Sequence, residues 1–350
     1  MKLLVSALEP SSNLHLKALL KHLPDVELLG IFDQSLGTPL YDVSQMAIMG
    51  ISDAVKRIPW FYRVADEMVK QAADAEKILL MDGSGFNLPL AKKLKKAYPQ
   101  KEILYYILPQ VWISRPGRVK KLEAYCDKLL GILPFETAYY SKKAQYVGHP
   151  LLDEITVKKE ISPHSESTET IAYLPGSRRS EITRLMPIYR QLREKLPVHR
   201  ALLVIPPSFS QETIDTLYGD IDAFELSRDT HSTLSYSDFA YICSGTATLE
   251  AALIGTPFTL NFIAKKLDFF IGTKLLGIKQ AGLANIILTA SGKETLHNEL
   301  LQDQVSLEAL VEEYYHTDRE RFKARALELR EYLGHGSSEY VAGIIREDTI

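Results

Sequence analysis

The sequence predicts an α/β protein built from two parallel-sheet domains. Three observations lead there. At 350 residues the chain exceeds one ordinary domain, and each of two domains would bury its own core. Short apolar runs alternate with amphipathic ones, the order that parallel sheets require. Between Val157 and Thr170 the composition turns polar and charged, as a linker does.

In the first half Lys2–Ala7, Val26–Phe32, Lys77–Met81, Ile103–Ile107, Lys128–Ile132 and Ala144–Val147 read as strands. Leu14–Lys21 and Leu88–Lys96 read as helices, the latter with leucines on one face and lysines on the other. Pro99 stops it. After the linker the series resumes with Thr170–Leu174, Ala201–Ile205, Ala223–Leu226, Phe239–Cys243 and Thr256–Asn261, and Arg319–Leu333 reads as a long charged helix. The expected layout is a first domain over 1–157, a linker over 158–169 and a second domain over 170–335. A tail over 336–350 follows, and its packing back onto the first domain is left open. Two Rossmann-like domains facing across a cleft would bind ligands at the carboxyl ends of their strands.

Composition narrows the function. Hydrophobic residues at 46% and charged residues at 24% describe a globular chain. A formal net charge of -3 excludes a dedicated nucleic-acid binder, which needs a basic excess. Cys126 and Cys243 build neither a disulfide framework nor a cysteine zinc site, which suits a reducing compartment. The N-terminal apolar run is broken by Glu9 and Pro10, so it reads as a buried strand and not as a signal peptide. No apolar stretch approaches the roughly 20 residues that span a bilayer. The expectation is a soluble or peripheral protein.

Two segments carry phosphate-binding signals. In LPGSRRSEI (Leu174–Ile182), Gly176 permits a tight turn, Ser177 can cap the next helix, and Arg178 offers a fork of donors to a diphosphate. An ordinary capped helix with exposed arginines would read the same way. In CSGTATLEAALIGTPF (Cys243–Phe258), Ser244, Gly245 and Thr246 open a helix with small side chains and free backbone N–H groups. Glu250, one turn on, suits ribose hydroxyls. No G-x-x-x-x-G-K-[ST] occurs, so a P-loop mechanism is not expected.

With these segments in view, the chain resembles the lipid-A-disaccharide synthase family. The first half contributes MAIMGISDAV (Met46–Val55), MDGSGFNLPLAKKLK (Met81–Lys95), YYILPQVWISRPGRVKKL (Tyr105–Leu122), LPFE (Leu133–Glu136) and YVGHPLLDE (Tyr146–Glu154). The two phosphate segments complete seven blocks in the family's order, over roughly residues 1 to 290. The resemblance implies a GT-B type inverting transferase. Its donor would be UDP-2,3-diacylglucosamine, held by the second domain, and its acceptor 2,3-diacylglucosamine 1-phosphate. It would work in the cytoplasm, peripheral at the inner face of the cytoplasmic membrane.

Two blocks depart from the family. Where the family has G-E-A-S-G-D, this chain has Leu8-Glu9-Pro10-Ser11-Ser12-Asn13, keeping Glu9 and Ser11. Where it has D-x-P-D-F-N, this chain has Asp82-Gly83-Ser84-Gly85-Phe86-Asn87 and loses the second aspartate. An inverting transfer needs a base, and the resemblance points to Asp82 at a strand end, with Glu9 as second candidate. Asn285, in GLANII, matches a family asparagine that would hold donor sugar or diphosphate, and a turn residue would read the same way. His15 and His149 have no partner at ligand spacing and no Asp-x-Asp motif is well placed, so neither a metal nor another cofactor is expected.

Trp60, Phe61 and Tyr62 stand among Lys56, Arg57 and Arg63, a mixture that suits an anionic membrane surface or an amphipathic helix on the sheet. The cations from Arg115 to Lys121 suit the acceptor phosphate or a solvated loop. A homodimer is left open. The alternatives are another UDP-sugar transferase, such as one building the peptidoglycan disaccharide, a UDP-sugar epimerase, or an inactive nucleotide-sugar binder.

Overall fold

The structure, a computed structural model, describes residues 1–46, 58–156, 159, 169–197, 199–264 and 280–347. Most of the expected linker, the block from Ala47 to Val55, and Lys56 and Arg57 lie outside the described residues. The chain divides into two compact units, Met1–Glu154 with Leu333–Ile350, and Ile155–Tyr332.

The first unit holds β1 (Lys2–Ala7), β2 (Glu27–Phe32), β3 (Tyr41–Asp42), β4 (Lys77–Met81), β5 (Glu102–Tyr106), β6 (Lys128–Gly131) and β7 (Ala144–Tyr146). They form one parallel sheet in the order β3-β2-β1-β4-β5-β6-β7. β4 and β5 are buried at every position, so they read as unbroken apolar runs. Alternate residues serve opposite faces. Leu4, Ile78, Leu80, Ile103 and Tyr105 pack with the helices Ile58–Gln71 and Ser84–Ala97. Leu3, Val5, Leu79, Leu104 and Tyr106 pack with the helices Pro10–Leu20 and Ser338–Arg346.

That last helix arrives from the far end of the chain and is fixed at both ends. Asp153 accepts hydrogen bonds from the backbone N–H groups of Ser337 and Ser338 at 2.9 and 2.8 Å. At its other end the buried Lys77, paired with Glu102 at 3.1 Å, donates to the Glu347 carbonyl.

The second unit repeats the plan with β8 (Thr170–Leu174), β9 (Arg200–Val204), β10 (Glu225–Ser227), β11 (Phe239–Ile242), β12 (Phe258–Phe262) and β13 (Glu299–Leu301). The order is β10-β9-β8-β11-β12-β13, again all parallel. Tyr173, Tyr189 and Tyr241 fill the core on one face with the helix Arg179–Lys195.

In both sheets the chain starts mid-sheet, builds one way, then returns and builds the other. The reversal falls between β1 and β4 and between β8 and β11, the point at which open parallel sheets place ligands, at the strands' carboxyl ends. Two strands escape the sequence reading, β3 and β13, because runs of two and three half-buried residues show no periodicity. Two helices begin one turn earlier than read. Pro10 and Ser84 start them, ahead of the first apolar residues at Leu14 and Leu88.

Asp153→Ala removes both caps of the C-terminal helix. It is expected to cost about 1–2 kcal/mol and to speed amide exchange across Ser338–Arg346. A denaturation midpoint and exchange pattern matching wild type would refute the capping role.

Candidate active site

Asp82 follows β4 directly and Glu9 follows β1 by two residues, and these strands pair with Ala7 opposite Met81. The two candidates therefore share one side of the first reversal point. Asp82 and Gly83 both take left-handed backbone, φ 47° and 46°, and make a sharp turn. Any β-carbon at Gly83 would lie 2.8 Å from the Leu8 side chain.

A buried amide holds this turn. Asn87 Nδ2 donates to the carbonyls of Met81 and Asp82, each at 3.0 Å, and its Oδ1 accepts from the Ser6 hydroxyl at 2.6 Å. The Tyr105 hydroxyl also donates to the Asp82 carbonyl, and Asp82 N–H donates to Tyr106 at 3.0 Å. The half-buried carboxyl of Asp82 is pushed up by burial, against the Gly83 N–H and the charges of His15 and Arg118, which act the other way. Glu9 is exposed, and its carbonyl accepts from Asn13 Nδ2 at 2.9 Å. Asn13 also reaches the Ala7 carbonyl at 2.9 Å and accepts from Asp33 N–H at 2.7 Å, joining the tips of β1 and β2.

Glu136, in the LPFE block, was not singled out as a functional residue. It is buried, with Oε1 accepting from Ile132 and Leu133 N–H at 2.7 and 2.9 Å and Oε2 unpartnered. Burial pushes its carboxyl up to about 7, overriding those two donors. His149 is pushed down to about 3 by burial and by His15.

In the second unit, Gly176 to Arg178 follow β8 and Ser244 to Thr246 follow β11, so both phosphate signals meet at the second reversal point. Cys243 N–H donates to Leu174 at 2.8 Å, which fixes the two strand ends side by side. Gly176 has φ 100°, and a β-carbon there would come within 2.4 Å of Glu181 Oε2. Only glycine fits. The cap expected from Ser177 belongs to Glu181: the helix starts at Arg179, which leaves Ser177 outside the N-cap position. Glu181 accepts from Arg178 N–H at 3.2 Å and from its Nη1 at 2.8 Å. The Arg178 side chain remains 78% exposed, with further guanidinium donors facing solvent.

Gly245 has φ 124° and open space around it, and no side chain caps the helix Thr246–Ile254. Its first N–H groups and dipole are thus presented outward. Glu250 lies on this helix with its Oε2 3.7 Å from His231 Nε2. Asn285 differs from the other candidates. Its Nδ2 donates to His297 and Glu299, and its Oδ1 accepts from Leu296 and His297 N–H, which saturates the buried amide. It orders the loop at Ala281 and Gly282, whose N–H groups also bond Glu299.

The expected aromatic surface is reduced. Trp60 and Phe61 are half-buried and stack edge-on with each other, Trp60 against Tyr41 and Phe61 near Phe86. Tyr62 and Ile58 are exposed. Among the described residues, no group of three His, Cys, Asp or Glu side chains stands ready to hold a metal, and no helix is long and apolar enough to cross a membrane.

A family model described as lipid-A-disaccharide synthetase matches residues 3–342. The chain belongs to that family. Lipid-A-disaccharide synthase of Helicobacter pylori (strain G27) is 48% identical, covering 97% of this chain and 96% of that protein. The Campylobacter jejuni (strain RM1221) enzyme is 44% identical, covering 98% and 99%. Among solved structures, the calicheamicin glycosyltransferase CalG4 superposes with a TM-score of 0.60 at 11% identity, covering 98% of this chain and 97% of that one. The UDP-GlcNAc 2-epimerase of Neisseria meningitidis does so with 0.58 at 11%, covering 99% and 98%. These two likenesses show the fold, which transferases and epimerases share. Membership of the synthetase family separates them, and the chain is a glycosyltransferase with two GT-B type α/β domains.

Because Glu136 is neutral when folded, its contribution to stability is complete below pH about 4.5 and is lost as pH rises through 7. Glu136→Gln is therefore expected to be more stable than wild type at pH 8, by up to about 3 kcal/mol, with the gap closing near pH 4.5. Denaturant melts across that range check it, and a pH-independent gap would show that burial does not govern this carboxyl.

Proposed function

We infer that this chain joins two acylated glucosamines. It transfers 2,3-diacylglucosamine from UDP-2,3-diacylglucosamine to 2,3-diacylglucosamine 1-phosphate, releasing UDP. The observation that carries this reading is the family match across almost the whole chain, on a fold with a strand-order reversal in each sheet.

The residue roles are our proposal. Asp82 acts as base: it takes the proton of the acceptor hydroxyl, whose oxygen bonds to the donor's anomeric carbon as the bond to diphosphate breaks. Its place at a strand tip supports this, with its backbone held by Asn87, Tyr105 and Tyr106 and its half-buried carboxylate held by the Gly83 N–H. Glu9, two residues beyond the paired strand β1, is the second candidate. Arg178, Gly176, Ser177 and the N–H groups from Ser244 to Thr246 meet the diphosphate, stabilising charge as it develops on UDP. Glu250 accepts from ribose hydroxyls. Asn285 acts on the donor side through the loop at Ala281 and Gly282, since its own amide is saturated. Arg118, beside Asp82, suits the acceptor's phosphate.

UDP release in detergent, with and without acceptor, tests these assignments. Release should require the acceptor, fall at least a hundredfold in Asp82→Ala, and show a raised donor KM in Arg178→Ala. Near-normal turnover by folded Asp82→Ala would remove the base assignment.

The acylated substrates require a lipid surface, so we propose that the enzyme works peripherally on anionic membrane. The exposed Ile58 and Tyr62 beside Arg63 support one contact patch. Each surface cation near anionic lipid contributes about 1 kcal/mol, so Arg63→Glu should weaken binding to phosphatidylserine vesicles by roughly fivefold or more. Partitioning that matches wild type at low salt would place the patch elsewhere.

A further inference from the structure

The imidazole beside Glu250 has no part in the mechanism above. His231 stands in the first turn of the helix Thr230–Tyr236, which follows β10 and packs against β8 and β9. Glu250 stands in the second turn of the helix Thr246–Ile254, which follows β11. His231 Nε2 and Glu250 Oε2 lie 3.7 Å apart. That is too far for a hydrogen bond between them.

The helices, and not the pair itself, fix this separation. Asp229 caps the first helix, its carboxylate accepting from Ser232 N–H at 3.0 Å. Thr233 Oγ1 lies 2.6 Å from the Asp229 carbonyl and 2.7 Å from Ser227 Oγ at the end of β10. Thr256, fully buried, joins the two helices: its N–H donates to the Ala251 carbonyl at 3.0 Å and its hydroxyl to the Leu234 carbonyl at 2.6 Å. Both facing side chains keep a surface that a ligand can reach, with 30% of His231 and 16% of Glu250 exposed. Thr246, at the outward-facing helix start, is four residues before Glu250, about 6 Å along the same helix face. A ribose attached to a diphosphate at that helix start falls beside Glu250. The gap there has the size of one hydroxyl group. An oxygen about 2.8 Å from each atom closes the triangle, accepting from the ring and donating to the carboxylate.

We propose that His231 is a specificity residue of the donor site: its Nε2–H and the Glu250 carboxylate together hold one ribose hydroxyl, so that the enzyme selects a ribonucleotide donor over a deoxyribonucleotide one. This rests on the reading of Glu250 as the ribose ligand. Hydrogen on Nε2 is carried by one neutral tautomer and by the imidazolium alike, so the role does not depend on the charge of the ring. A carboxylate accepts several hydrogen bonds, so the ribose engages Glu250 alongside its other contacts. A nucleotide without that hydroxyl leaves a donor and an acceptor facing each other across a gap that neither closes, and affinity falls.

The test is calorimetric binding of UDP, 2′-deoxy-UDP and 3′-deoxy-UDP to the full chain. Wild type should bind one of the two analogues at least roughly tenfold more weakly than UDP. His231→Ala should weaken UDP by roughly tenfold yet leave that analogue within about twofold of its wild-type affinity, because the contact at stake is already missing. A merely structural role would weaken all three ligands alike. His231→Phe, which keeps the bulk of the ring and removes its donor, should repeat the result and carries the test if His231→Ala does not fold. Glu250→Ala is run alongside. Equal losses for all three ligands, or unchanged UDP binding, in folded His231 variants would overturn the role of His231, and loss of the UDP preference in Glu250→Ala would leave Glu250 in place. A preference that survives in Glu250→Ala, or that wild type never shows, would overturn both.

Discussion

The buried side-chain amide of Asn87 is the contact on which the strand-tip arrangement of the first unit depends. It stands in the first turn of its helix and reaches back to β1 through Ser6, and to the turn after β4 through Met81 and Asp82. A non-glycine residue in left-handed backbone costs about 1–2 kcal/mol, and Asp82 is held there by these bonds together with those of Tyr105 and Tyr106. The second unit solves the same problem with a carboxylate. Glu181, also in the first turn of a helix, reaches back to Arg178 and fills the space that a β-carbon at Gly176 would need. In each sheet a polar side chain from the following helix fixes a strand tip at the reversal point.

Carboxyl groups in the first unit respond differently to burial because their neighbours differ. Glu136 has two backbone donors opposing its burial, and desolvation prevails. Asp82 is less deeply buried and has His15 and Arg118 within electrostatic reach. The first suits a neutral staple that holds the loop at Ile132 and Leu133. The second suits a base, which must be ionised near the working pH yet poorly solvated. Desolvation alone would push both the same way. Shallower burial, the Gly83 N–H and then the charges of His15 and Arg118 separate them.

The sequence made the sheets legible because their central strands are buried on both faces and carry long apolar runs between turn residues. The same logic located Gly176, Arg178 and Ser244 to Thr246, since each follows such a strand, whereas Asp82 stands out through the family resemblance. That logic failed where the signal is short or distant. The edge strands at Tyr41–Asp42 and Glu299–Leu301 are too brief to alternate. The cap at Arg179 was assigned to Ser177, although Glu181 supplies it from inside the helix. No spacing rule connects His15 with Glu154, and Asn285 looked like a ligand residue because saturation of an amide is visible only in three dimensions.

The two departures from the family's motifs acquire a physical reading at this point. Asn13 stands where the family has aspartate, and both ends of its amide are used: Nδ2 donates to Ala7 and Glu9, Oδ1 accepts from Asp33. A carboxylate there could accept from Asp33 but could not donate to the two carbonyls, so this chain has made the position a three-way tie. Gly85 stands where the family's second aspartate would be, and a side chain there would meet nothing within 4 Å. The fold does not demand glycine at that point. What the substitution removes is one negative charge three residues from Asp82, at the same strand tip. Asp82 thus keeps no second carboxylate at that position of its turn, and one repulsive charge is absent from its surroundings.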